Sequence, residues 1–288
     1  MMGYVDISHR FFGGVSKHIK DYFSDIHEDL QKANITYTLE EYLSVALFTT
    51  SVTFLVESAL FAFIFGLLSL HIVITIILSV TLSLTISGIL FFLFYSYPVT
   101  VAKSRGNKIK KILPFSVAYL ATMSSSKLPP IVLFKTLSNF KEYGEVAKEA
   151  ASIVQDVETL GMNFSTALKR QAKRTASPEF RELLWGINTV TSSGGDLTSY
   201  LEQKSDELMR EYKRRIRKYA QDLSLFVEIY LTLVITGTIF FIVLSSVVSA
   251  ISGDISTVLL QSFVVFVLIP LTSLGFILVI KSISPLES

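Results

Sequence analysis

Cysteine is absent from this chain of 288 residues. Disulfides, thiolate metal sites and cysteine nucleophiles are therefore excluded. Histidine is scarce: His9, His18, His27 and His71 form no ligand cluster. His18 and His27 stand nine apart, the wrong spacing for one metal. No G-x-x-x-x-G-K-[ST] loop occurs, so nucleotide is not hydrolysed by that route. Ser193-Gly194-Gly195-Asp196 has the look of a phosphate cradle, but no strand precedes it, and a helix-to-helix turn accounts for it. Nothing asks for a cofactor, a metal or nucleic acid, and no catalytic residues are expected. The first 39 residues hold no apolar core of the kind a signal peptide needs, so the first apolar stretch is expected to direct its own insertion.

The most informative absence is that of positive charge. All 26 Lys and Arg fall outside four apolar stretches, Leu43–Leu70, Ile72–Val101, Ile229–Ile251 and Ser256–Ile280. Each stretch exceeds the roughly 20 residues a helix needs to cross a bilayer. The short links around Ser69, Leu70 and His71, and around Ser252, Gly253 and Asp254, also lack Lys and Arg. The positive-inside rule then places both termini and the large middle segment in the cytoplasm of a multi-pass protein of the cell membrane. Mean hydropathy of +0.52 agrees with a membrane class. Net charge is only +2, but the first 42 residues are acidic on balance and Lys103–Lys111 and Arg210–Lys218 are strongly basic.

The expected fold is all-α: four membrane spans with a cytoplasmic antiparallel bundle of six helices. The expected layout is an amphipathic segment over 1–42, hairpins over 43–101 and 223–281, a helical domain over 102–222, and a tail over 282–288. Ile19, Phe23, Ile26 and Leu30 predict an amphipathic helix over 15–33, lying on the membrane or packed on the protein itself. Thr38-Leu39-Glu40-Glu41 is a capping box that opens the first span. The second span is expected to end near Pro98, with Lys103, Arg105, Lys108, Lys110 and Lys111 as its cytoplasmic anchor. In the middle segment, a first helix from about Lys110 to Ser125 should bury Ile112, Phe115, Tyr119 and Met123. Pro129-Pro130, Gly144, Asn163, Ser177-Pro178 and Asp196 mark the starts of five more, and Gly161 and Gly194-Gly195 mark two of the ends. The sixth is expected to run unbroken into the third span.

Three runs carry a resemblance: Gly161-Met-Asn-Phe-Ser-Thr-Ala-Leu168, Thr175-Ala-Ser-Pro-Glu-Phe180 and Ser193-Gly-Gly-Asp-Leu-Thr-Ser-Tyr-Leu201. Together they resemble the core of the type II secretion F domain of platform proteins from secretion systems, type IV and Tad pili and the archaeal flagellum. Leu113-Pro114-Phe115 and Tyr119-Leu120-Ala121 resemble that domain's first helix, although Ser124–Pro129 replaces the usual glycine turn. The order of two spans, one domain and two spans resembles the TadC and archaeal FlaJ branch. The resemblance implies a platform without chemistry of its own, working with a hexameric assembly ATPase and pilin subunits, and a homo-oligomer in the lipid membrane. The alternatives are a membrane subunit of an ATPase-driven transporter and a membrane-anchored scaffold.

Charge offers the remaining candidates. Lys169, Arg170, Lys173 and Arg174 fall on one helical stripe. The stripe is either an ATPase or headgroup contact or an ordinary solvated face. Arg210, Lys213, Arg214, Arg215, Arg217 and Lys218 read as an anchor to anionic lipid. Glu57 lies near the middle of the first span. It either meets a pilin or another protomer, or is protonated and bonded to Ser51, Thr53, Ser58, Ser83 or Thr85. Glu228 reads as interfacial.

Overall fold

The computed structural model describes residues 3–68, 71–252 and 255–283. Ser69, Leu70, Gly253 and Asp254 of the two expected outer links, and tail residues 284–288, lie outside the described residues. The described chain is helical throughout, and four of its helices are long and apolar enough to cross a membrane. The protein is thus a multi-pass membrane protein. It divides into two compact units, residues 1–204 and 205–288.

The first unit opens with α1 (Tyr4–Ile19), a 3-10 turn (Lys20–Phe23) and α2 (Ser24–Lys32). Two helices thus replace the single one expected over 15–33. α1 packs on α3 (Leu39–Leu67), while α2 packs chiefly on α4 (Ile72–Ser124), so the tight turn redirects the chain from one partner to the other. The seam of α1 buries Ser8, Gly13 and Ser16, small residues to which apolar periodicity is blind. Ile26 and Leu30 do point inward, forming a cluster with Tyr42 and Leu43 against Phe23, Ile35, Leu39 and Phe94. The capping box forms in full: Glu41 N donates to Thr38 Oγ1 at 3.3 Å, and Thr38 N donates to Glu41 Oε2 at 2.8 Å.

α4 runs for 53 residues with Pro98 and Pro114 inside it, so the helix does not stop at Pro98 and the expected separate helix from Lys110 is its continuation. Proline has no N–H and leaves the carbonyl four residues earlier without its helical donor. For Pro98 that carbonyl is Phe94 O, and the hydroxyl of Tyr42 on α3 donates to it at 2.7 Å. The neighbouring helix thus supplies what the proline withholds.

Beyond Ala102, α4 forms one wall of a helical domain with α5 (Pro130–Asn139), α6 (Gly144–Glu158), α7 (Phe164–Arg174), α8 (Pro178–Ser192) and the start of α9 (Leu197–Ile229). Its buried seam is Ile109, Leu113, Ser116, Val117, Leu120 and Ser124. The expected face was displaced: Phe115 is exposed, and Ile112, Tyr119 and Met123 are only half-buried. Serines at 116 and 124 occupy the close-packed positions that bulk alone would assign to aromatics. Tyr119 instead meets Phe140 and Tyr143, with ring centroids 5.2 and 5.7 Å away. The core is completed by Phe134, Leu137, Ile153, Leu168, Phe180, Leu183, Leu184 and Ile187, all essentially inaccessible. Each such side chain contributes about 1.5–3 kcal/mol of burial free energy.

The second unit holds the rest of α9, a π-helical stretch (Tyr230–Thr236), α10 (Gly237–Ser252), α11 (Ile255–Phe263), a second π stretch (Val264–Leu268) and α12 (Ile269–Ile283). Within it the Tyr230 hydroxyl lies 2.9 Å from Ser273 Oγ, and its ring meets Phe276 edge-on. The helical run from Leu197 to Ile251 has no break, as expected, but it widens to π geometry in the middle.

Candidate functional site

The motif residues of the sequence are turns, and the structure gives each a mechanical task. Gly161 and Gly194 hold φ of +65° and +69°, the left-handed region that favours glycine. At the second turn Gly195 N donates to Val190 O at 2.9 Å, closing the end of α8, while Ser193 Oγ bonds the same carbonyl at 3.2 Å. Asp196 Oδ1 then accepts from Thr198 N at 3.0 Å and opens α9. This reversal lays Tyr200 over Gly186, where an added Cβ would stand 1.8 Å from the Tyr200 hydroxyl oxygen. Thr198 Oγ1 donates to Ser124 O at 3.1 Å, tying the start of α9 to the end of α4. Asn163 and Ser177 cap α7 and α8 as their positions predict. In the turn after α4, where glycine is missing, Lys127 itself takes φ of +54°.

The four cations of α7 do not share one environment. Lys169, Lys173 and Arg174 are exposed. Arg170 is turned inward: Nη1 donates to Asp156 Oδ1 at 3.1 Å and approaches Met162 Sδ at 3.6 Å, bracing the Gly161 turn. Arg174 lines a cavity of about 410 Å³, with Arg105, Lys148, Glu149 and Gln171 among the other walls.

At the floor of that cavity lies a charge cluster that sequence reading missed. Arg105 Nε donates to Glu145 at 2.8 Å, Nη2 to Glu149 at 3.0 Å and Nη1 to Lys32 O at 2.6 Å. One side chain thus joins the end of α2 to α4 and α6, and Gln171 of α7 donates to the other oxygen of Glu149. Burial pushes the Glu149 carboxyl above its ordinary range and outweighs the Gln171 bond and the Arg105 charge. Burial also acts on Glu145, but hydrogen bonds from Lys148 and Arg105 prevail and hold it below the ordinary value. Lys110, in the same basic run, pairs with Glu179 at 2.5 Å. The run from Lys103 to Lys111 is therefore more than an anchor, since Arg105 and Lys110 pair with carboxylates of the domain. The run carried a signal of this: Arg105 falls four before the buried Ile109, on the inward arc of α4.

Glu57 is half-buried on α3, and its Oε2 has no hydrogen-bond partner among the described residues. Thr85 donates to its own helix at Thr81 O, and Ser83 Oγ is also partnerless among them. None of the bonds expected for a protonated Glu57 is therefore formed by Oε2. Thr75, Ser79, Ser83 and Ser87 repeat every four residues as a buried row on α4. Glu228 is exposed on the last turn of α9. The described residues contain no grouping of His, Asp and Glu fit for a metal. His9 lies 3.4 Å from Ser44 Oγ, and His27 Nε2 lies 2.9 Å from Gln31 Nε2.

Comparison with known proteins bears on the same segment. Residues 117–245 match the family described as type II secretion system (T2SS), protein F. An uncharacterized protein of Methanocaldococcus jannaschii is 24% identical over 56% of this chain and 27% of its own length. Flagella accessory protein J of the same organism is 26% identical over 62% of this chain and 34% of its own length. Flagella accessory protein J of Methanococcus voltae is 27% identical over 51% of this chain and 26% of its own length. The matched part of this chain thus spans about a third or less of each of these relatives. No solved structure matches it.

Proposed function

We propose that this chain, whose residues 117–245 form a type II secretion system protein F domain, is a non-enzymatic membrane platform of a filament-assembly machine. The machine is of the type IV pilus or archaeal flagellum kind. The observation that carries the reading is the coincidence of that match with four apolar helices: two lead into it, the third lies largely within it and the fourth follows. In this reading residues 102–222 and both termini are cytoplasmic in the cell membrane, the domain meets a hexameric assembly ATPase, and the spans meet pilin subunits. A homo-oligomer at the filament base completes the arrangement. The absence of Lys and Arg from both outer links supports that sidedness. Thiol labelling of single cysteines in intact cells should reach position 71 and spare positions 24 and 205, and the reverse pattern would overturn the topology.

The exposed cations of α7 are the proposed contact with the ATPase. Reversing Lys169, Lys173 and Arg174 together to Glu should abolish co-purification with the assembly ATPase while membrane insertion persists. Unchanged co-purification would return these residues to the solvated surface. Glu57 is the proposed contact with a cationic group of an assembling subunit. Glu57→Gln with wild-type filament number at matched protein level would end that role.

A further inference from the structure

The first helix divides its circumference into three arcs. Val5, Ser8, Phe12, Ser16 and Ile19 form the arc packed on α3, with Ser8 and Ser16 inaccessible. Asp6, Arg10 and Lys17 form a charged arc. The third arc is apolar and uncovered: Tyr4, Ile7, Phe11 and Val15 recur at spacings of three and four and are 52%, 37%, 70% and 48% exposed. An aromatic and aliphatic stripe of this kind on a helix of its own protein needs an occupant.

The contacts of α1 say where that stripe lies. Lys20, just past its end, pairs with Glu40 at 3.1 Å, before the apolar stretch of α3 begins. At the other end, the Tyr4 hydroxyl is 2.8 Å from Thr49 Oγ1, and Tyr4 and Phe11 both meet the ring of Phe48, at 5.6 and 6.1 Å. Thr49 stands six residues inside the apolar stretch that starts at Leu43, a depth of about 9 Å along the helix. From Tyr4 to Lys20 the chain covers about 24 Å of helix, but the partners Thr49 and Glu40 are only about 14 Å apart on α3. Between those ends Ser16 meets Ser44 and Phe12 meets Phe48, so α1 packs antiparallel on α3. Next to Thr49 the surface of α3 is Val52, Leu55 and Val56, all exposed on a membrane span. Tyr4 thus brings the start of the stripe to the part of α3 where these apolar side chains are exposed.

We propose that α1 is an interfacial helix, with Tyr4, Ile7, Phe11 and Val15 seated in the acyl region of the bilayer and Arg10 and Lys17 kept at headgroup level. Helices of this design sink their apolar face about 5–10 Å below the headgroups, the depth Thr49 marks. The helix holds α3 at a set depth, because Phe48 and Thr49 can neither rise nor sink without moving the stripe through the interface. Ring pairs and the Lys20–Glu40 ion pair fix α1 to α3 at both ends.

The absence of cysteine makes the test direct. Purified full-length chain carrying Phe11→Cys, or Val15→Cys as the second position, is labelled with an environment-sensitive nitrobenzoxadiazole probe and reconstituted into phosphatidylcholine–phosphatidylglycerol vesicles. Lys17→Cys is the control on the charged arc. The probe at 11 or 15 should emit blue-shifted relative to position 17, lose emission when brominated acyl chains replace ordinary ones, and resist aqueous iodide. Emission as in water with iodide quenching at both positions would overturn the proposal. A blue shift without bromolipid quenching would also overturn it, because protein and not lipid would then cover the stripe.

Discussion

Tyr42 should be worth more to the hairpin than its ring alone. Its side chain is 7% exposed, its hydroxyl donates to Phe94 O at 2.7 Å, and its ring meets Phe94 edge-on at 6.5 Å. Pro98 is what frees that carbonyl, so the worth of the hydroxyl depends on the proline. Tyr42→Phe keeps the ring and leaves a carbonyl at apolar depth without a donor, a loss of about 1–3 kcal/mol. In a Pro98→Ala background residue 98 regains an N–H, and the helical bond to Phe94 O can close. There Tyr42→Phe should cost only about 0.5–1 kcal/mol, the net worth of an ordinary hydrogen bond. The two substitutions should therefore couple by about 1 kcal/mol or more. Trp185 is the only tryptophan and lies in the same unit, so its fluorescence with far-UV circular dichroism can follow unfolding of the four chains in detergent. Equal losses from Tyr42→Phe in both backgrounds would refute the idea that one helix completes the other.

The Arg105 cluster yields two further outcomes. Arg105→Met should cost about 3–5 kcal/mol, because it strands buried carboxylates, and adding Glu149→Gln should restore much of that; a double variant no more stable than the single would refute the pairing. The pH profile follows from the two opposite shifts. Glu149, raised by burial, gives stability that is present below its ordinary value and lost as pH climbs through its folded value. Glu145, held low, and Glu179, held low despite burial by its bonds to Lys110 and Ser177, lose their contribution as pH falls below the ordinary value. Glu149→Gln should flatten the upper decline and keep the lower one in a series of melts against pH. At the turn after α4, Lys127→Gly should raise stability by about 1 kcal/mol, since it relieves a left-handed residue, and a loss in the same assay would show that the Lys side chain is needed there.

Where the pattern was periodic or the chemistry local, the sequence was a sufficient guide. Thr38, Asn163, Ser177 and Asp196 cap the helices they precede because a cap needs only a few neighbouring residues. The apolar spans are legible for the same reason. The failures occur where a distant partner decides. Pro98 ends a helix by local rules, yet Tyr42, 52 residues from Phe94 in the chain, supplies the donor its carbonyl lacks. The basic run at 103–111 looks like an anchor until α6 and α8 bring Glu145, Glu149 and Glu179 to it. Seams built from serine, such as Ser8 and Ser16 on α1 or Ser116 and Ser124 on α4, have no hydrophobic signature, so faces read from bulky residues come out rotated.

Separating docking from folding on α7 decides how its charges can be tested. Arg170 cannot report on docking, because its guanidinium holds Asp156 beside the Gly161 turn. A Glu there would set two carboxylates together and loosen the domain. Lys169 and Lys173 behave differently. They lie four apart on the exposed arc, and like charges at that spacing cost a helix about 0.2–0.5 kcal/mol. The fold bears this cost for no packing return, as expected if the pair meets an acidic partner surface. Lys169→Glu makes the test clean, because a glutamate four residues before a lysine is the favourable order on a helix. The variant should melt no lower than the parent chain and still lose association with the assembly ATPase. Loss of stability together with binding would leave docking unproven and refute the electrostatic account of the helix. Full retention of binding would return the pair to the solvated surface and remove the proposed contact from α7.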